Sequence, residues 1–286
     1  MVYIVKKIPN STLTYYSGNM GVGDRVFFIS REPVELLMVL YTAGSSSSYP
    51  NKPPDKGIRF HFLGGAGEVG NVGCIIEDSA GTRVLIDYGL APTKPPRYPS
   101  ESPPVKHAIM THAHIDHIGM APWLATYGTL LHGTDLTAAV SEIMWSDTYK
   151  VSDIEGYPLA WDKRDMEVAL DSWMPHQFGE WFSVGDWKCR LHPAGHIPGA
   201  AMIEIKTPQA TILWTGDLDT RDSPNAPRAA PIDCDILCME GTYGGRTHPD
   251  REEEEGLVES HVASRPRDRT RVRALRDSRI EIDRIR

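Results

Sequence analysis

Cysteine, long apolar runs and surplus positive charge are all scarce in this chain, and each scarcity removes a class of function. The four cysteines, Cys74, Cys189, Cys234 and Cys238, form no Cys-x-x-Cys pair and no small-domain disulfide spacing. A disulfide framework is therefore excluded, and reduced, mostly buried thiols are expected. The most apolar early stretch, Val34 to Tyr41, is too short to span a bilayer, and the first residues lack the charged, apolar and small-residue order of a signal peptide. A soluble, cytoplasmic protein with no membrane partner is the expectation. Thirty basic against 38 acidic residues leave a net charge of −8, which argues against a chain-wide grip on nucleic acid and leaves room only for a local basic groove. With 41% hydrophobic and 24% charged residues, wholesale disorder, collagen and coiled coil are also excluded.

What is present divides into three stretches. Residues 1–57 show no sustained period and run into Ser45, Ser46, Ser47, Ser48, Tyr49, Pro50 and then Lys52, Pro53, Pro54. They read as an extension and linker, with a small strand-rich piece around Arg25 to Ser30. From Ile58 short apolar runs recur between glycine, proline and aspartate. Strands are expected over Arg59 to Leu63, Val72 to Glu77, Thr82 to Asp87, Lys106 to Met110, Lys188 to Pro193, Met202 to Lys206, Thr211 to Thr215 and Ile236 to Met239. Helices are expected over Ile118 to Thr126, Asp135 to Lys150 and Lys163 to Trp173. Strand pairs followed by single helices predict a mixed α/β layered domain over 58–249. Residues 250–286 form a charged tail holding half of the twenty arginines, with no lysine after Lys206 and no aromatic after Tyr243.

Gly65, Ala66, Gly67, Glu68, Val69 and Gly70 satisfy G-x-G-x-x-G literally. A dinucleotide site needs a helix to open at the third glycine, whereas Val72, Gly73, Cys74, Ile75 and Ile76 read as a strand. The glycines are expected to form a tight loop at the rim of a site. The specific signal is Thr111, His112, Ala113, His114, Ile115, Asp116, His117, directly after an apolar strand. Imidazole nitrogen and carboxylate oxygen suit zinc, and two ions need two donor sets a few ångströms apart. His112 and His114 leave a strand end together and can face one ion. Asp116 and His117 begin the next helix and can face a second. His196 sits in the glycine-flanked turn Ala194 to Ala200, and Asp217 lies just beyond the strand ending Trp214, Thr215, Gly216, where it can bridge both ions.

These elements resemble the metallo-β-lactamase superfamily of zinc hydrolases, and Leu85, Ile86, Asp87, Tyr88, Gly89 is similar to its first motif. The resemblance implies a four-layer αββα sandwich, with His112, His114 and His196 on one zinc, Asp116 and His117 on the other, Asp217 between them and Asp87 supporting a ligand histidine from behind. Phe62 to Gly70 and Met239, Glu240, Gly241, Thr242, Tyr243, Gly244 resemble the β-CASP nuclease branch, which includes ribonuclease J and the messenger-RNA 3′-end cleavage endonuclease. Glu240 matches the acidic residue of that branch's signature, with Gly241 where serine is usual. The branch carries a further β-CASP domain after this signature, contributing two histidines. The tail here contains only His261 beyond His248, so the second zinc site is expected to be incomplete. The expectation is an N-terminal part of a longer protein whose reading frame is lost near Ser260, with a natural short form as the alternative.

The implied activity is hydrolysis of a phosphodiester in RNA, or in single-stranded DNA, by a hydroxide activated by two zinc ions. Asp116, Asp217 and Glu240 are the candidate catalytic carboxylates, with a homodimer or other RNA-processing subunits as partners. The rivals are a hydrolase of thioesters, lactones or lactams, since the core motifs alone are shared with those activities, and a non-catalytic metal-binding scaffold.

Overall fold

The computed structural model describes residues 2–6, 38–42, 49–223 and 225–243, together with positions 253, 254, 256, 257 and 260. The chain divides into two units, Met1–Glu240 and Gly241–Arg286, and the architecture below is that of the first. The strand expected at Arg25 to Ser30, the arginine-rich tail, His248 and His261 lie outside the described residues.

Two sheets form the unit. One is six-stranded, in the order β1 (Val2–Lys6), β13 (Ile236–Glu240), β12 (Thr211–Trp214), β11 (Ala201–Lys206), β10 (Trp187–Pro193), β9 (Trp181–Val184). The other is seven-stranded, in the order β2 (Met38–Thr42), β3 (Ile58–Gly64), β4 (Gly73–Asp78), β5 (Arg83–Ile86), β6 (His107–Ile109), β7 (Leu130–Gly133), β8 (Trp173–Pro175). β5, β6, β7 and β8 run parallel, as do β12 and β13, while β3, β4 and β5 and β9 through β12 are antiparallel neighbours. β1 pairs with β13 and β2 with β3, which puts an edge strand of each sheet inside the stretch expected to be an extension and linker.

The alternation of side chains explains the layers. Phe60, Ile76, Ile86 and Ile109 from one sheet meet Leu191, Ile203, Ile212 and Trp214 from the other in a fully apolar inter-sheet core. The opposite face of the seven-stranded sheet, with Ile75, Leu85, Ala108 and Leu131, is covered by helices through Leu124, Trp145, Trp161 and Met166. β4 is buried at every position because both of its faces are covered. Among the described residues of this unit no helix lies on the six-stranded sheet. Its outer face is closed near the site by a smaller cluster that joins Met202 and Leu213 to Ala194 and Ala229 from the loops. Three of the four expected layers are thus seen within the described residues.

The helices follow their end signals. α1 (Ile115–Ile118) and α2 (Ala121–Ala125) replace the single helix expected over Ile118 to Thr126, Pro122 sitting in the first turn of α2. α3 (Asp135–Glu155) starts where Thr134 Oγ1 accepts the Thr137 N–H and stops at Gly156, whose φ of 74° suits a residue without Cβ. α4 (Lys163–Asp171) opens with a capping box between Asp162 and Asp165. It ends before Trp173, which enters β8 instead. Of the described helices, none is long and apolar enough to cross a membrane.

Candidate metal centre

The segments carrying the motif residues leave strands at one edge of the two sheets. Asp87 follows β5, Thr111 to His117 follow β6, His196 lies in the turn between β10 and β11, Asp217 follows β12 and Glu240 ends β13. The parallel pairing of β5 with β6 and of β12 with β13 brings these C-terminal ends together. The glycine loop between β3 and β4 borders the same edge, where Val72 N–H donates to Asp116 O at 2.9 Å. Gly65 and Gly70 have φ of 78° and 102°, so the glycines serve a tight turn.

One donor group is compact. His112 Nε2 lies 3.1 Å from His114 Nδ1, and His196 Nε2 lies 3.0 Å from the same atom. Asp217 Oδ2 is 3.8 Å from His112 Nε2 and 3.6 Å from His196 Nε2. One ligand atom from each of the four side chains falls within 4.8 Å of all the others. A tetrahedral ion with bonds of about 2.0–2.1 Å holds its ligand atoms about 3.3 Å apart, so three imidazoles and a carboxylate at these separations fit a metal cofactor. A second group adjoins it, since His117 Nε2 is 3.5 Å from Asp217 Oδ1 and 3.9 Å from Asp116 Oδ2. The two oxygens of Asp217 therefore face different groups.

Behind the donors lies Asp87, fully buried and in the left-handed region at φ 55°. Its Oδ2 is 2.8 Å from His117 Nδ1 and accepts the Thr111 hydroxyl at 2.8 Å, while Oδ1 accepts the Thr111 backbone N–H at 2.7 Å. Gly89 lets α1 approach: a Cβ there would come within 1.7 Å of Asp116 O. Tyr88 N–H donates to His117 O at 2.7 Å and Met120 N–H to Tyr88 O at 2.7 Å, so the helix is tied to the segment that carries Asp87. The turn holding His196 is tied from the other side, because the hydroxyls of Thr134 and Thr137 donate to Gly199 O at 2.9 and 3.0 Å. Thr134 and Thr137 were not foreseen as parts of the site. Their only sequence signal is the helix start at Thr134.

The electrostatics divide the ligands. Burial, with the neighbouring imidazoles, holds His112 well below the usual histidine range, so it is neutral and its lone pair is available. Burial acts on His117 in the same direction, but the Asp87 charge and hydrogen bond, with Asp217 and Asp116, outweigh it and push His117 up to about 9. Burial raises the Asp217 carboxyl; His117 and His196 pull it back, and Glu240 and Asp116 add repulsion. Glu240 accepts the Leu218 N–H at 3.3 Å, and its own N–H donates to Thr215 Oγ1 at 3.2 Å.

Other histidines and tryptophans are sorted away from the site. His107, His132 and His176 link through ring nitrogens at 2.9 and 2.8 Å, and the last two stack with Phe182; burial and its two neighbours push His132 down to about 3. Trp145, Trp161, Trp173 and Trp187 are core residues. Trp181 is 38% exposed, with Arg190 and Lys206 over its ring.

A family model described as the Metallo-beta-lactamase superfamily matches residues 67–250, more than half of the chain. RNase aCSPSF2 of Saccharolobus solfataricus is 32% identical over 204 residues, 68% of this chain and 40% of that protein. Ribonuclease TTHA0252 of Thermus thermophilus is 32% identical over 178 residues, 59% of this chain and 40% of that protein. Cleavage and polyadenylation specificity factor 73 of Drosophila melanogaster is 29% identical over 211 residues, 70% of this chain and 31% of that protein. The chain spans under half the length of these curated relatives. Its paired His/Asp donor groups at the shared edge of two sheets, the family match and these relatives agree: the chain belongs to the metallo-beta-lactamase superfamily, in its β-CASP branch.

Proposed function

We propose that the chain is the metal-bearing part of a zinc-dependent ribonuclease that hydrolyses phosphodiester bonds of RNA. The observation that carries this reading is the carboxylate shared between two donor groups, Asp217 Oδ2 toward His112 and His196, Oδ1 toward His117. Zinc would be held by His112, His114, His196 and Asp217, and a second zinc by Asp116, His117 and the other oxygen of Asp217. Zinc supplies Lewis acidity toward a phosphoryl oxygen and lowers the pKa of water to about 7. The names of the relatives, RNase and ribonuclease among them, favour RNA over small esters and lactams.

Within the chain the roles divide by position. Asp87 anchors His117 from behind, Asp116 and Asp217 present carboxylate oxygens that can accept a proton, and Glu240 sets the charge beside Asp217. A cytoplasmic setting agrees with the buried thiols of Cys74, Cys189 and Cys238, which form no disulfide. Other subunits, or a second copy, belong to the same reading through the relative named as a cleavage and polyadenylation specificity factor.

The test is cleavage of labelled single-stranded RNA by the zinc-loaded chain, with single-stranded DNA, nitrocefin and a thioester panel alongside. Cleavage of RNA, lost together with bound zinc in Asp217→Ala, is the expected outcome. Turnover confined to the small esters or nitrocefin overturns the ribonuclease reading, and bound zinc with no turnover of any substrate turns it into a scaffold.

A further inference from the structure

Thr111 lies where the two sheets meet. Its backbone oxygen accepts the Ala201 N–H from β11 at 2.8 Å, and Gly216 presses so close that a Cβ there would lie 2.8 Å from Thr111 Cβ. The side chain is fully buried. Its Oγ1 has three polar neighbours, Asp87 Oδ2 at 2.8 Å, His112 Nδ1 at 3.0 Å and His117 Nδ1 at 3.4 Å.

Proton counting decides what these contacts do. A hydroxyl has one hydrogen to donate and lone pairs to accept, whereas a carboxylate only accepts. The Thr111 hydrogen therefore goes to Asp87. Toward His112 the hydroxyl can then only accept, so Nδ1 of His112 must carry the hydrogen. That leaves Nε2 bare, and Nε2 is the atom facing His114 Nδ1 and Asp217 Oδ2. The same Asp87 oxygen takes the Nδ1–H of His117 directly, which turns His117 Nε2 toward Asp217 Oδ1.

We propose that Thr111 is a positioning residue through which the single Asp87 carboxylate, which takes the Nδ1–H of His117 directly, also sets the tautomer of His112, so that one buried acid prepares both donor groups. The metal-binding half of the proposed function underlies its purpose, while the tautomer itself needs neither metal nor RNA. Hydrogen-bonded partners behind ligand histidines characteristically tune metal affinity by 10- to 100-fold. Here one partner reaches two histidines of different groups, and removing the hydroxyl should weaken the His112 group while the direct Asp87–His117 contact survives.

The experiment reads the imidazole 15N and 1H signals of His112 in the metal-free chain, then zinc affinity by chelator competition, in the parent, Thr111→Val and Thr111→Ser. The expected result is a neutral Nδ1–H tautomer for His112 in the parent and Thr111→Ser, and its loss in Thr111→Val. Zinc affinity should fall about 10- to 100-fold in Thr111→Val and recover to within a few-fold in Thr111→Ser. An Nε2–H tautomer of His112 in the unsubstituted chain overturns the proposal by itself, even should Thr111→Val not fold. So does a folded Thr111→Val that keeps the Nδ1–H signal. Failure of the parent to bind zinc would strike the proposed function and leave the tautomer result standing.

Discussion

His117 carries the largest conflict at the residue scale, because burial disfavours its charge and three carboxylates favour it, with the carboxylates prevailing. Raised from an ordinary 6.5 to about 9, it stabilises the metal-free fold fully below pH 6.5, and that contribution is lost as pH rises through about 9. Metal binding has the opposite sign, since the ion must displace the proton. Melting of the chelated chain between about pH 7.5 and 10, above the range where ordinary histidines titrate, should show falling stability, with zinc affinity rising over the same range. A flat melting profile would remove His117 as the titrating group. His112, neutral in the fold, acts in the opposite sense only around the ordinary histidine value of 6.5, where the unfolded imidazole loses its proton, and adds no slope above that region. His112, His114, His196 and Asp217 were all legible as a set from the motif His-x-His-x-Asp-His and two later glycine-flanked positions. Thr111 was visible as a letter beside His112, but its three-way hydroxyl contact depends on Asp87, which is 24 residues away in sequence.

At the scale of elements, the centre depends on how closely α1 can be pulled onto the segment after β5. Gly89 makes this approach possible, and Gly89→Ala would place a methyl group 1.7 Å from Asp116 O, a backbone atom that cannot swing aside. The substitution should destabilise the metal-free chain by at least about 1–3 kcal/mol and weaken zinc binding through Asp116 and His117. Gly156→Ala at the end of α3 serves as the control. Nothing lies within 4 Å of its added methyl, so only left-handed strain of about 1–2 kcal/mol remains, with zinc affinity unchanged. Equal loss of zinc affinity in both variants, read by thermal melting and metal titration, would show that α1 packing is not the determinant. Sequence periodicity found the longer strands and α3, but it joined α1 and α2 into one helix. It also passed over β7, β8 and β9, which at three or four residues display no period, whereas the equally short β5, β6 and β12 stood out as apolar runs between turn residues.

Across the whole molecule, the two sheets are held in register by more than apolar contact. Trp187 Nε1 in β10 donates to Asp78 Oδ2 at the end of β4 at 2.9 Å, a buried bond spanning 109 residues of sequence. Asp78 Oδ1 meanwhile accepts the Ala80 and Thr82 N–H groups of the turn that follows. Trp187→Phe leaves a buried carboxylate oxygen without this donor and removes part of a fully buried ring, and should cost about 1–3 kcal/mol from the hydrogen bond alone. Chemical denaturation of the metal-free chain measures it, and a loss under about 0.5 kcal/mol, the usual range of surface changes, would show that the apolar core alone sets the register. Zinc at saturating concentration should raise the midpoint of both parent and variant, because an ion bound only by the folded chain stabilises it by mass action.

The sequence by itself determined the chemistry of the donors, the order in which they occur and the texture of strands and helices that carries them. These are local properties, written in residue type and in spacings of a few positions. Only the tertiary structure decided that Asp217 would turn one oxygen to each donor group, that Asp87 would meet His117 directly and His112 through Thr111, and that Val2–Lys6 and Met38–Thr42 would complete the sheets. Each of these joins segments tens to hundreds of residues apart. The pairing of strand ends at a common edge produces them, and no local pattern records which ends will meet.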